Sequence, residues 1–140
     1  MQPVLTAEEL ATFLDEVFPQ VRGDFAIEAL EAMRARVRMP VADKHLRPGG
    51  TVSGPSMFAL ADMAFYMATL AMIGREPLTV TTNLNINFMR KPASTDMIAE
   101  ARILKLGRTL AVGDVTLFSQ GQAAPVAHAT CTYAIPPRRG

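Results

Sequence analysis

One carboxylate stands out before any element is assigned. Asp62 lies inside Met57-Phe58-Ala59-Leu60-Ala61-Asp62-Met63-Ala64-Phe65-Tyr66-Met67, an otherwise apolar run. An ionised group in such a run is costly unless it is hydrogen-bonded, paired or used. A carboxylate there suits a general base or a nucleophile, with a narrow polar stripe or an arginine-paired structural acid as the plain alternatives. Eight residues earlier Gly54 opens the same segment, behind Ser53 and ahead of Pro55. Backbone N–H groups at a helix start point outward and favour negative charge, so a carbonyl oxygen gaining charge in acyl transfer would be stabilised there. Simple capping geometry is the competing reading, and Ser53 reads as a cap. Ser53-Gly54-Pro55 lacks the GxSxG frame of a nucleophile elbow. Lys91, Lys105, Arg108, Arg138 and Arg139 fall near strand ends, where cations either meet a phosphorylated ligand or simply hold water. His45, His128 and the lone Cys131 are too isolated to form a catalytic pair, and His128 sits in an alternating strand as a structural residue.

The elements that must hold these groups follow from periodicity. Thr6 and Glu9 have capping-box spacing, and Leu10, Phe13, Leu14 and Val17 recur as one helical face, so a lead-in helix covers about residues 6–18. A short strand is expected around Ile27 to Leu30. Met33, Ala35, Val37, Met39 and Val41 then alternate with Arg34, Arg36 and Arg38, a strand with one wet or ligand-facing side. The loop Lys44 to Pro55, rich in Gly and Pro, feeds a long helix that Gly74 and Pro77 end. Along it Ala61, Ala64, Ala68 and Ala71 form a small-residue stripe able to lie close on a flat surface. Beyond Pro77, strands are expected over Val80 to Phe88, Met97 to Leu106, Leu110 to Phe118 and Val126 to Ile135. In the first of these, Val80, Thr82, Leu84, Ile86 and Phe88 alternate with Thr81, Asn83, Asn85, Asn87 and Met89, the pattern of a half-buried strand. The short turns between the last three strands require antiparallel pairing. The fold class is α+β: one long helix against an antiparallel sheet of about six strands, with no internal repeat and no domain boundary in residues 1–140.

Composition narrows the function classes. Fourteen Lys and Arg against thirteen Asp and Glu give a net charge of +1, which lacks the electrostatic footprint of a dedicated nucleic-acid binder. One cysteine and two histidines exclude an internal disulfide and argue against a zinc site. No leader-like segment opens the chain, so a cytoplasmic protein is expected. A membrane span is a poor reading of the long helix, which is short for one and carries Asp62 near its middle. Nine methionines and no tryptophan fit a core that adapts to an irregular or shared surface.

The loop and helix together resemble the hotdog-fold acyl-CoA thioesterases, in the phenylacetate-degradation (PaaI-like) branch. That family's pattern runs as an Asn, then G-x-x-H-G-G, four residues, Leu, one residue and the catalytic Asp, followed by a strand of the type T-x-x-L-N-x-x-F-x-R-P. The matching stretches are Arg47-Pro48-Gly49-Gly50-Thr51-Val52-Ser53-Gly54-Pro55, Leu60-Ala61-Asp62 and Thr81-Thr82-Asn83-Leu84-Asn85-Ile86-Asn87-Phe88-Met89-Arg90-Lys91-Pro92. Similarity continues through Gly107-Arg108-Thr109-Leu110 and Ala127-His128-Ala129-Thr130, covering about residues 25–135 of a hotdog core at 24–135.

The resemblance implies a thioester hydrolase acting on a small, aromatic or medium-chain acyl-CoA, with the coenzyme A thioester as substrate and no cofactor. It assigns Asp62 as the catalytic carboxylate, Gly54 as the oxyanion donor and Thr81 as a hydroxyl reaching the site from a neighbouring subunit. It also implies a homodimer or a dimer of dimers. Ser53, Phe58 and Tyr66 would line the substrate path, and Arg90, Lys91, Lys105 or Arg108 would meet the coenzyme A phosphates. Three positions depart from the pattern: Arg47 replaces the amide, Ser53 the histidine and Pro55 the second glycine. Pro55 deletes one N–H from the helix start, leaving Gly54 and Ser56. Arg47 could polarise the thioester carbonyl, or could pair with Asp62 and displace the attacking water. A hotdog protein that binds acyl-CoA or an acyl carrier without hydrolysing it is the alternative; hydratase chemistry would want an Asp/His pair that is not visible.

Overall fold

The structure, a computed structural model, describes residues 1–137; Arg138 and Arg139 lie outside them. Thr6 caps helix α1 (Ala7–Val17), accepting from the Glu9 N–H while Glu9 accepts from Thr6 N–H. Leu10, Phe13 and Leu14 are its buried face. A 3-10 turn at Pro19–Val21, not foreseen from periodicity, carries the chain to β1 (Ala26–Glu31) and β2 (Arg34–Met39). Helix α2 (Gly54–Ile73) follows, then β3 (Val80–Phe88), β4 (Met97–Leu106), β5 (Leu110–Ser119) and β6 (Ala127–Ala134). Every expected strand is present, the first two closed by a tight turn in which Met33 takes φ 64°.

All six strands form one antiparallel sheet in the order β1-β2-β4-β5-β6-β3. Helix α2 packs against β2, β4, β5, β6 and β3, and α1 lies beside β1 and α2. This is the hotdog arrangement, a long helix wrapped by an antiparallel sheet. The alanine stripe is the reason α2 can sit so close: Ala61, Ala64, Ala68 and Ala71 are at most 1% exposed. Phe65, Leu60 and Leu70 are fully buried between them, each worth roughly 1.5–3 kcal/mol of apolar transfer. Among the described residues α2 is the one helix long and apolar enough to cross a membrane, and 72% of that window is buried inside the fold. The arginines of β2 serve the wet face. Arg36 bonds Glu28 and Glu100, and Arg38 bonds Glu28 and Asp96.

The close approach of helix and sheet is tightest at Gly113 on β5. A Cβ there would overlap the Arg102 carbonyl oxygen and stand 2.6 Å from Phe65 Cε1. Neither a strand carbonyl nor a buried ring can give way cheaply. Gly113→Ala should therefore lower stability by about 2 kcal/mol or more, in the range of overpacked cores. Thermal unfolding checks this; an unchanged midpoint would show that the sheet yields at this point.

Candidate active site

Asp62 projects from the side of α2 that the sheet leaves open, in a row with the exposed Pro55, Phe58 and Ala59. Its carboxylate is half-buried and meets two hydroxyls. Thr81 Oγ1 donates to Asp62 Oδ1 at 2.7 Å, and the Tyr133 hydroxyl donates to the same oxygen. Among the described residues Oδ2 has no hydrogen-bond partner. One oxygen takes two hydrogen bonds and the other takes none among the described residues.

The two hydroxyls come from residues directly opposite each other on β3 and β6. Strict alternation from Val80 would place Thr81 on the face opposite Leu84 and Ile86. A register shift between Thr81 and Asn83 reverses the parity, so Thr81, Leu84 and Ile86 all turn inward while Val80 and Phe88 stay about half exposed. Bulges commonly re-aim a side chain in this way. The consequence corrects one expectation: Thr81 reaches Asp62 within its own chain, because β3 returns beside α2 only six residues after the helix ends. Tyr133 was not singled out from the sequence. The available signal was its place on the inward parity of β6, with Ala129 and Cys131, since a buried tyrosine hydroxyl must find a partner.

Two cavities meet at Asp62. One, of about 400 Å³, runs past Met63, Tyr66, Thr79 and Tyr133 toward Phe18 and Gln20 of the segment after α1. The other, of about 440 Å³, runs past Ala59, Ser56 and Pro55 toward Lys44 and Phe25. Phe18 and Met63 border both. Tyr66 is thus brought to the site, its hydroxyl donating to the Pro77 carbonyl at 2.9 Å. Phe58 shares the open helix face.

At the helix start Ser53 is a cap: its hydroxyl accepts the Ser56 N–H at 3.2 Å and bonds Ser56 Oγ at 3.0 Å. Ser56 N–H is therefore engaged, Pro55 has none, and Gly54 N–H makes no hydrogen bond among the described residues. Gly54 lies under the Phe88 ring, where a Cβ would sit 3.4 Å from it. Arg47 is exposed in a small turn in which Gly49 and Gly50 take φ 97° and 80°; its backbone bonds Thr51 and Gly50, and it forms no ion pair with Asp62. The four proposed phosphate contacts are not gathered. Arg90 and Lys91 follow the Phe88 end of β3, whereas Lys105 and Arg108 flank the β4–β5 turn, whose strand Leu110 aligns with Val80 through Ala134. Those ends are roughly 25 Å apart at the strand rise per residue.

The remaining titratable candidates take structural roles. His45 Nδ1 accepts the Ala42 N–H. His128 Nε2 bonds Asp114, which also takes two bonds from Arg102; burial alone would raise Asp114's pKa, but those partners outweigh it and hold it low.

Known proteins share this fold. The model of the thioesterase superfamily matches residues 49–126. A Silicibacter sp. TM1040 protein, described provisionally as a thioesterase, is 57% identical with a TM-score of 0.91, covering 98% of this chain and 96% of its own. A mutant form of the phenylacetic acid degradation protein PaaI from Thermus thermophilus is 27% identical, TM-score 0.72, over 84% of this chain and 99% of that one. A Streptococcus mutans UA159 protein solved bound to acetyl CoA is 27% identical, TM-score 0.70, over 83% and 91%. The chain belongs to the thioesterase superfamily, and the PaaI-like resemblance of its motifs agrees with these neighbours.

Cys131 illustrates how the site differs from a thiol enzyme. Burial, with the Asp62 and Asp114 charges adding to it, pushes its thiol up to about 12. At pH 8 only about 1 in 10⁴ molecules then carries the reactive thiolate. Labelling by Ellman's reagent at that pH should run at least about 100-fold slower in the folded protein than in urea; equal rates would place Cys131 in reach of solvent.

Proposed function

We propose that the protein hydrolyses acyl-CoA thioesters carrying a small, aromatic or medium-chain acyl group, acting as one domain on a cytoplasmic substrate pool. The observation that carries this is the Asp62 carboxylate, pinned at Oδ1 by Thr81 and Tyr133 and unpaired at Oδ2 where two cavities join. In this reading Oδ2 takes a proton from water as the oxygen attacks the thioester carbonyl. The tetrahedral oxyanion collapses, the C–S bond breaks, and the proton passes to the departing coenzyme A thiolate. Direct attack by Oδ2 on the carbonyl, breaking the C–S bond and expelling the coenzyme A thiolate to leave an anhydride that water then hydrolyses, uses the same free oxygen. The thioester is the substrate and no cofactor enters the scheme.

Distance supports a second copy in the site. Gly54 and Asp62 are eight residues apart on one continuous helix, roughly 12 Å at 1.5 Å per residue. A single carbonyl cannot be in hydrogen-bonding range of both. A partner chain whose α2 runs antiparallel across the open face would bring its Gly54, and Arg47 from the loop before that helix, to this chain's Asp62. Arg90 and Lys91, at the Gly54 end of the sheet, would then lie with the coenzyme A phosphates.

One observation favours the alternative of an acyl-CoA binder that does not hydrolyse. With Pro55 lacking an N–H and Ser56 N–H held by Ser53, the helix start offers the oxyanion a single backbone donor, Gly54. A panel of short, aromatic and medium-chain acyl-CoAs with free-thiol detection separates the two. The enzyme reading expects turnover, and Asp62→Asn should reduce it by about 100-fold or more. Measurable binding with no turnover would establish the binder, and a variant within twofold of wild type would remove Asp62 from the chemistry.

A further inference from the structure

The Tyr133 hydroxyl lies in reach of two oxygens of the same residue: the Asp62 main-chain carbonyl, at 2.8 Å, and Asp62 Oδ1. Its one proton serves both, and the carboxylate is the stronger acceptor. Contacts at the helix backbone and at the side-chain tip together restrict both side-chain torsions of Asp62. Tyr133 is itself held firmly. It is 3% exposed, its ring stacks on Tyr66 at 6.1 Å and tilts against Phe65 at 5.4 Å. Burial first, and the Asp62 charge second, push its ionisation well above the ordinary phenol value, so it stays a donor at every working pH.

We propose that Tyr133 is the positioning residue of this site, holding Asp62 in one rotamer so that Oδ1 is saturated and Oδ2 is the reacting oxygen. The inference rests on the thioesterase reading of Asp62. A tyrosine that needed only a partner for its hydroxyl would be satisfied by a backbone carbonyl, as Tyr66 is by that of Pro77. Tyr133 instead spans carbonyl and carboxylate, and the bulge in β3 sends a second hydroxyl to the same oxygen rather than to Oδ2. Two donors on one oxygen give the carboxylate a fixed direction as well as solvation.

Tyr133→Phe keeps the ring, its packing and the Thr81 bond, and removes only the spanning hydroxyl. Crystal structures of wild type and variant report the Asp62 orientation directly: one rotamer is expected in the first, and a rotated or divided side chain in the second. In turnover, kcat should fall about 10-fold or more, the size expected for losing a hydrogen bond to a charged group, with KM within about twofold. Combined with Asp62→Asn, the tyrosine change should add less than about twofold, since it acts through the carboxylate. An Asp62 orientation unchanged in the variant overturns the proposal, and so does a kcat within twofold of wild type or a full loss repeated in the Asp62→Asn background. If the unaltered protein hydrolyses no acyl-CoA, the thioesterase reading falls, and the crystallographic orientation alone decides the role of Tyr133.

Discussion

A carboxylate carried on a helix that five strands enclose must find polar partners, because water reaches it from one side only. In this protein those partners are two hydroxyls on adjacent strands, and their arrival depends on a single pairing register. Thr81 faces Tyr133 where β3 meets β6. A slip of one residue would bring Thr132 or Ala134 to that place and turn the phenol away from the helix. The pairing that adds the last strand to the sheet therefore also completes the surroundings of Asp62. Stability and the proposed chemistry share one constraint, and the alanine stripe that lets α2 lie close enough is part of it.

The open side of α2 has the opposite character. Phe58 and Pro55 lie bare beside Asp62, and the edge strand β3 leaves Val80 and Phe88 about half exposed. On the two-copy reading these exposures are complementary: the helix that lends its carboxylate to one site lends its N-terminus to the other. The roughly 12 Å that separates the two functions within one helix, on the usual rise per residue, then becomes the spacing between two active sites. Met63, lining both cavities at Asp62, is a flexible wall suited to acyl groups of differing shape.

The strands and both helices were legible because their periods are unbroken over many residues: Leu10, Phe13 and Leu14 on α1, Ala61 through Ala71 on α2. Asp62 was legible because a charge interrupts an apolar run. Three things were not. The 3-10 turn at Pro19–Val21 is too short to leave a period. The bulge in β3 inverts the faces of Thr81 and Val80 relative to Leu84 and Ile86 without any glycine or proline to mark it, so alternation misassigned Val80 to the buried side. Tyr133 sits in β6, 71 residues from the carboxylate it holds, and local patterning carries no trace of so distant a contact. The family resemblance did point to Thr81, yet to the wrong chain, since a motif records which residue arrives and not from where.

The three departures from the family motif, Arg47, Ser53 and Pro55, fall on one side of the proposed reaction. They alter the groups that would polarise the carbonyl and leave the carboxylate with its hydroxyls intact. Proline deletes one N–H donor, and serine caps the helix by accepting the Ser56 N–H. Arginine, standing where the amide would be, carries a full positive charge and is free of any carboxylate partner among the described residues. A guanidinium brought to a developing oxyanion in a site closed by a second copy would offset the missing N–H, because charge acts more strongly where water is excluded. The motif has thus lost one N–H and gained a cation while keeping Gly54, and the proposed hydrolysis depends on whether assembly delivers that cation to the thioester.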